Sequence, residues 1–299
     1  MGKWDSKALA IVNNPAVAVV VPTYNRKAKT LRFLERMRSQ TYSYLHVFVV
    51  DASSSDGTQE AVKQHYPEVT VLSVSARNFW TGSTNAGVKR ALTTDAEYIF
   101  TVNDDSILAD DHIEQLVKIA QRCDCWILGN RINYLAERDR IWSLGCYTDW
   151  GTPDFLRLAD ADVLEQDLPD EVRQREVMET EALPGNGVLI HRRVFEQIGL
   201  YNERWLPHYH ADSEFTMRAR SNGIPVFVSP QVVLYNDFSV EQKKLRLNRW
   251  ADVYYTFCHR KSHLFWPPLM YIFFRYCPWR SQWKTFRALA HRLWLLVRG

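Results

Sequence analysis

From Ala16 onward, short runs of apolar and mostly β-branched residues alternate with stretches whose apolar positions recur at helical spacing. Residues 17–22, 46–50, 69–74 and 97–102 read as strands. Between and after them, 27–39, 58–65, 84–92 and 111–122 read as helices, the first with Leu31, Leu34 and Met37 on one face. Repetition of strand and crossover helix predicts an α/β fold on a mostly parallel sheet flanked by helices. Residues 126–130 read as a further strand. From 131 to 181 the pattern dissolves into a stretch rich in Trp, Asp, Gly and Pro, longer than an ordinary connection and of the kind that forms binding surfaces. Order returns with a strand at 187–190, a helix at 192–198 and a helix at 213–221. The last stops at Asn222-Gly223 before Pro225 and leaves Asp212 at its N-cap.

The tail follows a different pattern. Residues 264–274 are strongly apolar, but the run is broken by Pro267-Pro268 and falls short of the roughly 20 residues that a spanning helix needs. After Pro278, residues Trp283, Phe286, Leu289, Ala290, Leu293, Trp294 and Val297 fall on one helical face, with Lys284, Arg287, His291 and Arg298 largely on the other. Charge sharpens this picture. The chain of 299 residues has a net charge of +3, yet residues 241–299 carry twelve Lys and Arg against two acids, a surplus of ten that leaves −7 for the first 240. An amphipathic, basic and aromatic helix predicts peripheral attachment to an anionic membrane surface, on the cytoplasmic face. Packing on the main domain or a homo-oligomer contact are the other uses of such a face. No recognition motif accompanies the basic residues, so nucleic acid is not expected as a partner.

Hydrophobic content of 46% and charged content of 24% describe an ordinary folded chain with a sizeable core. Of five cysteines, only Cys123 and Cys125 are close, in a C-x-C spacing that suits neither a disulfide framework nor a zinc site, and a reduced cytoplasm fits. No apolar run precedes Pro15, so no secretory signal or anchor is expected there. The expected organisation is an extension at 1–15, an α/β domain at 16–240 with halves of about 16–130 and 131–240, and the basic tail at 241–299.

Two acidic clusters lie far apart in this order. Asn103-Asp104-Asp105-Ser106 ends the buried run 98–102, so its carboxylates project beyond the carboxyl ends of the strands, where open α/β sheets bind ligands. Asp212 and Glu214 open a helix much later. One cluster suits a metal ion and the other a general base; the plainer readings are a polar strand end and a helix cap. A dinucleotide-dependent oxidoreductase or a nucleotidyltransferase is disfavoured, because no G-x-G-x-x-G turn follows the first strand.

Four stretches in order resemble glycosyltransferase family 2. They are Val19-Val20-Val21-Pro22-Thr23-Tyr24-Asn25-Arg26; Val49-Val50-Asp51-Ala52-Ser53-Ser54-Ser55-Asp56-Gly57-Thr58; Asn78, Gly82, Asn85 and Gly87; and the two acidic clusters. The resemblance covers about residues 16–240. It implies a Rossmann-like domain of the GT-A type and inverting transfer from a nucleoside diphosphate sugar (UDP- or dTDP-sugar) to a saccharide or lipid-linked saccharide. The nearest flavour is bacterial surface-polysaccharide assembly, with rhamnosyl transfer as one form of it.

By resemblance, Pro22, Thr23, Tyr24, Asn25, Asp51, Arg77, Asn78, Gly82, Asn85, Asn103 and Asp104 bind the donor nucleotide, with Asp51 on the base and Asp104 on the ribose. Asp105 is implied as the ligand of a divalent cation (Mg or Mn), although Asn103 stands where the family has its first acid. Asp212 is implied as the general base, with Ala211 at the preceding acidic position. Gly185, Asn186 and Glu214 are implied on the acceptor side, Glu214 orienting either the acceptor or Arg218. Tyr235-Asn236-Asp237 stands where the family often supplies a metal-binding His. Structural alternatives stay open: Gly82 and Gly87 as packing glycines, Asp56 as a cap, and a catalytically idle member that binds a nucleotide sugar or a partner.

Overall fold

The computed structural model describes residues 14–237 and 265–298, together with His259 and Ser262. The expected extension up to residue 13 and tail residues 238–258 lie outside the described residues. The first half alternates as read: β1 (Val17–Thr23), α1 (Lys27–Arg38), β2 (Leu45–Asp51), α2 (Thr58–His65), β3 (Thr70–Ser73), α3 (Phe79–Ala91), β4 (Tyr98–Thr101), β5 (Ser106–Leu108), α4 (His112–Arg122) and β6 (Ile127–Tyr134). Strands β3, β2, β1 and β4 lie side by side and parallel. The continuous apolar run of β1 follows from burial on both faces. Val17, Val19 and Val21 pack with Phe33, Val62 and Ile113 on one side, while Ala18 and Val20 pack with Val88 and Ala91 on the other.

The second half completes the sheet with mixed polarity. Its elements are β7 (Ile141–Ser143), β8 (Cys146–Thr148), β9 (Leu156–Leu158), α5 (Asp170–Arg173), β10 (Met178–Glu179), β11 (Val188–His191), α6 (Arg192–Ile198), α7 (Ala211–Ser221) and β12 (Phe227–Asn236). The full strand order is β10-β12-β6-β11-β4-β1-β2-β3, with β5 on β12 and β7 on β6. Strand β11 runs antiparallel between β4 and β6. The stretch 131–181 is therefore not bare connection. Its strands are two or three residues long beyond the end of β6, too short for a period of two to show. Strand β12 carries Pro230 mid-run, and its register to β6 shifts between Ser229 and Val233, the kind of irregularity that accommodates a proline inside a sheet.

Two further boundaries move. Helix α3 begins at Phe79, five residues before the expected start at Thr84, because small and polar residues there mask the helical period. Helix α7 begins at Ala211, with His210 before it at φ 66°, so Asp212 lies inside the first turn and is not the N-cap. Asp56 acts as expected at a helix start, and does so twice. Its carboxylate accepts from the Thr58 N–H at 3.1 Å and from the Lys27 N–H at 2.9 Å, tying the first turns of α2 and α1 together.

The tail forms α8 (Trp266–Tyr276) and α9 (Trp279–Arg298). Both pack on the domain: Ile272 and Leu289 join a cluster with Cys146, Phe155 and Met217, and the buried Thr285 hydroxyl accepts from the Gly151 N–H at 2.7 Å. Among the described residues, no helix is long and apolar enough to cross a membrane.

Gly87 shows how tightly α3 sits on the sheet. A Cβ there would lie 2.4 Å from Val20 Cγ1 and 2.9 Å from Val50 Cγ2. Alanine in place of glycine inside a helix ordinarily stabilises by about 1 kcal/mol. Here overpacking against two core valines reverses the sign, and Gly87→Ala is expected to destabilise by about 1–3 kcal/mol. Urea unfolding of the two proteins measures this, and a more stable variant would refute the close helix-sheet contact.

Candidate active site

The carboxyl ends of β1 and β2 meet in register, with Thr23 opposite Asp51. Above them the N-terminal end of α3 closes a cavity of about 340 Å³, whose walls include Pro22, Thr23, Tyr24, Arg26, Arg77, Trp80 and His208. Four residues of the expected donor set, Pro22, Thr23, Tyr24 and Arg77, are thus brought together. Asp51 lies buried beneath. Its Oδ2 accepts from the Ser54 N–H and from Gln59 Nε2, each at 2.9 Å, while its buried Oδ1 has no hydrogen-bond partner.

Other members of that set hold the protein to itself. Asn25, at φ 51°, accepts the Ser55 N–H at 2.7 Å and donates its own N–H to Ser54 Oγ at 2.8 Å, which fixes the loop after β2. Asn78 packs against Gly82, where a Cβ would approach Asn78 Cβ to 3.0 Å, so Gly82 serves the close turn at the start of α3. Asn85 is buried and its amide is committed. It donates to the Tyr201 carbonyl at 2.9 Å and to Glu203 Oε2 at 3.0 Å, and accepts the Tyr201 N–H at 3.0 Å. Asn85 thus clamps α3 to the segment after α6, and its expected donor contact stays a proposal.

The acidic strand end is also differently arranged from the expectation. Asp104 is buried, and its Oδ2 accepts from Thr23 Oγ1 at 2.8 Å and Thr30 Oγ1 at 3.1 Å. Its Oδ1 lies 2.9 Å from Arg26 Nη1, an ion pair without hydrogen-bond alignment. Burial pushes the Asp104 carboxyl up, with Arg26 and Thr23 opposing. A carboxylate bound this way braces the turn after β1, and its expected contact with a donor ribose stays a proposal. Asp105 remains partly exposed but pairs with Arg26 Nη2. Asn103 accepts from Trp80 Nε1 at 3.1 Å through the carbonyl oxygen that would otherwise be offered to an ion.

Across the sheet, Gly185 and Asp212 come together. Asp212 Oδ2 accepts the Gly185 N–H at 2.6 Å and Oδ1 accepts the Ser213 N–H at 2.8 Å, so the carboxylate is held by two backbone donors. A Cβ on Gly185 would meet Asp212 Cβ at 2.7 Å and Trp80 Cη2 at 2.8 Å, and only glycine permits that approach. Trp80 therefore touches the base candidate's corner, the acidic strand end and the cavity. The sequence reading gives Trp80 no role, and its indole N–H was the available signal for one.

Asn186 and Glu214, the expected acceptor-side residues, both bond within the protein. Asn186 Oδ1 accepts the Asn103 N–H and the Ser106 hydroxyl, each at 2.9 Å, bracing the acidic loop from below. Glu214 is fully buried. It accepts from the Tyr276 hydroxyl of α8 at 2.7 Å and lies 3.3 Å from Arg218 Nε.

Residues 18–199 match the model of Glycosyl transferase family 2. A glycosyltransferase, GlyG, from Streptococcus pneumoniae is 30% identical over 122 residues, which is 40% of this chain and 40% of that protein. An uncharacterized glycosyltransferase of Haemophilus influenzae is 27% identical over 107 residues, 36% of this chain and 35% of that one. The matched stretch thus spans well under half of either relative. Among solved structures, the mannosyltransferase PcManGT of Pyrobaculum calidifontis in complex with GDP-Man and Mn²⁺ aligns with a TM-score of 0.53 and 18% identity, over 77% of this chain and 59% of that one. S. aureus TarS in complex with UDP aligns with a TM-score of 0.53 and 16% identity, over 75% and 61%. These likenesses establish a shared fold, the GT-A type expected from the resemblance. With the family model covering more than half of the chain, the chain belongs to Glycosyl transferase family 2.

Proposed function

We propose that this protein is an inverting glycosyltransferase that moves a sugar from a UDP- or dTDP-sugar to a saccharide or lipid-linked saccharide, in the assembly of surface polysaccharide at a membrane face. The observation that carries the reading is the position of Asp212. Its carboxylate accepts the Gly185 N–H, and Gly185 lies against Trp80, which lines the cavity together with Pro22, Thr23, Tyr24 and Arg77. Family relatives and fold neighbours bound to GDP-Man or UDP support nucleotide sugar as the donor.

On this reading the base lies over the ends of β1 and β2, with the partnerless Asp51 Oδ1 as its hydrogen-bond acceptor. The acceptor hydroxyl approaches from the Asp212 side. As its oxygen forms the new bond to the anomeric carbon, Asp212 takes the proton and the bond to the diphosphate breaks with its electron pair leaving on the phosphate oxygen. Attack opposite the leaving group inverts the configuration. The two backbone donors keep the carboxylate oriented before the acceptor arrives, so little ordering is left for the reaction itself. The group expected to hold a divalent cation does not fit that task as arranged: Asp105 is paired with Arg26, and the Asn103 carbonyl beside it is taken by Trp80. No step is therefore routed through an ion.

The membrane part of the proposal rests on α9, which has three faces. Thr285 and Leu289 face the domain. Trp279, Trp283, Phe286 and Trp294 form an exposed stripe at helical spacing, and Arg280, Lys284, Arg287 and His291 lie exposed beside it. An aromatic stripe edged by cations matches the headgroup layer of an anionic leaflet, where each basic residue contributes about 1 kcal/mol.

Asp212→Asn preserves the shape of the side chain but not its basicity. It is expected to leave nucleoside diphosphate affinity within about a few-fold while lowering the rate by about 10² to 10⁴. Initial rates with the best donor of a UDP- and dTDP-sugar panel, set beside calorimetry, check this, and undiminished turnover would remove Asp212 from the base role. The tail is tested by flotation with phosphatidylglycerol vesicles. The full chain is expected to float at low salt and to detach as salt rises, since screening acts over about 10 Å at 0.1 M. Because Trp283 and Phe286 are exposed, Trp283→Ser with Phe286→Ser should weaken flotation without lowering the melting temperature. Absence of flotation at low salt, or equal flotation of the variant, would sink the membrane reading.

A further inference from the structure

Arg26 stands immediately after the Pro22-Thr23-Tyr24-Asn25 turn, at the start of α1. Its guanidinium reaches Asp104 Oδ1 at 2.9 Å through Nη1 and pairs with Asp105 Oδ2 through Nη2. The same side chain lines the cavity beside Thr23 and Tyr24 and keeps 36% of its surface exposed. A guanidinium carries five N–H donors in a rigid planar fork, and two carboxylates do not exhaust them. The acids lie behind it: the side chain of Asp104 is 0% exposed and that of Asp105 is 17% exposed. Two carboxylates thus hold a cation at the wall of the cavity, an arrangement that elsewhere would hold a metal ion. Arg77 lines the same cavity and brings a second positive charge, so the two arginines balance the two acids.

Resting on the donor-pocket reading above, we propose that Arg26, gripped by Asp104 and Asp105, supplies the positive charge on which the donor's diphosphate binds and departs, so that nucleoside diphosphate binding here needs no divalent cation. The chemistry suits the group. A diphosphate offers planar sets of oxygens that match a guanidinium fork, and an already oriented fork loses little entropy when they bind. During transfer the bond from the anomeric carbon to the diphosphate oxygen breaks and its electron pair stays on that oxygen. Arg26 donates hydrogen bonds to the growing negative charge and keeps its own protons, while the acceptor's proton goes to Asp212. An ion entering this site would have to displace the guanidinium from Asp105 and leave it unpaired beside a second cation.

Calorimetry of UDP, dTDP and GDP against the full chain, once in excess EDTA and once in excess Mn²⁺, tests this. For the nucleotide that binds, the two affinities are expected to agree within about threefold, less than the tenfold that corresponds to 1.4 kcal/mol. Arg26→Gln is expected to weaken binding in EDTA by about 10- to 100-fold, the range for hydrogen bonds to charged groups. Mn²⁺ should then recover part of the loss, because Asp105 has been freed. Arg26→Lys keeps the charge without the fork and should fall between. Near-UV circular dichroism shows whether the Gln variant is folded; should it not be, the wild-type comparison and the Lys variant still decide. Wild-type binding that requires Mn²⁺ would overturn the inference and leave the donor pocket standing, as would a folded Gln variant that binds normally in EDTA. Failure of all three nucleotides to bind under either condition would overturn both.

Discussion

A carboxylate buried at the end of a sheet has to be surrounded by donors, because an isolated buried charge costs far more than a folded domain can spare. Asp104 imposes that demand at the end of β4, and the local fold is what answers it. Thr23 from the end of β1, Thr30 from α1 and Arg26 from the turn between them all point at one side chain. The turn after β1 is thereby set relative to β4, and the open end of the cavity is set with it. From the same acidic loop the bonds continue across the sheet. Asn186 braces Asn103 and Ser106, the Gly187 N–H donates to the Thr101 carbonyl at 2.9 Å, and Trp80 ties Asn103 to the corner where Gly185 meets Asp212. A single connected network therefore runs from the first helix to the helix that bears the proposed base.

The sequence carries the parallel half of the fold plainly, since strands buried on both faces appear as unbroken apolar runs and their crossover helices repeat. It is silent where strands are two or three residues long, and at β12, where a register shift accommodates Pro230, a residue that ordinarily argues against a strand. For the site, the positions at strand ends were legible and the chemical assignments less so. Asn85, Asn186 and Asp104 are polar groups at positions where ligand binding is expected, and in the folded chain each holds backbone or a neighbouring loop. A ligand and a buried main chain make the same demand on an amide or a carboxylate, so residue type and spacing alone cannot separate them. Arg26 shows the converse: at the end of a familiar turn the sequence gives it no role, and the approach of Asp104 and Asp105 supplies the one proposed for it.

The tail illustrates a limit of helical periodicity. Counting apolar residues on a wheel yields one broad face, whereas the folded chain divides it. Leu289 turns to the domain, while Trp283, Phe286 and Trp294 stay in solvent beside a row of basic side chains. The division follows from what each side chain meets. A helix seated through a small buried residue such as Thr285, whose hydroxyl satisfies the Gly151 N–H, lies close to the domain and leaves its large aromatics around the edge of the contact.

That seating links the tail to the helix of the proposed base. The Tyr276 hydroxyl at the end of α8 donates to Glu214, two residues beyond Asp212 in α7. Glu214 is fully buried, and apart from Arg218 that hydroxyl is its partner among the described residues. A hydrogen bond to a buried charged group is worth about 1.5–3 kcal/mol, enough to make the first turn of α7 depend on where α8 lies. At its other side the same turn is pinned by the Gly185 N–H on Asp212. The proposed base is thus placed by two contacts of different origin, one from the sheet and one from the tail. The tail cannot be treated as an appendage to a finished catalytic domain: the element with the exposed aromatic stripe and the element with the base are parts of one packed unit.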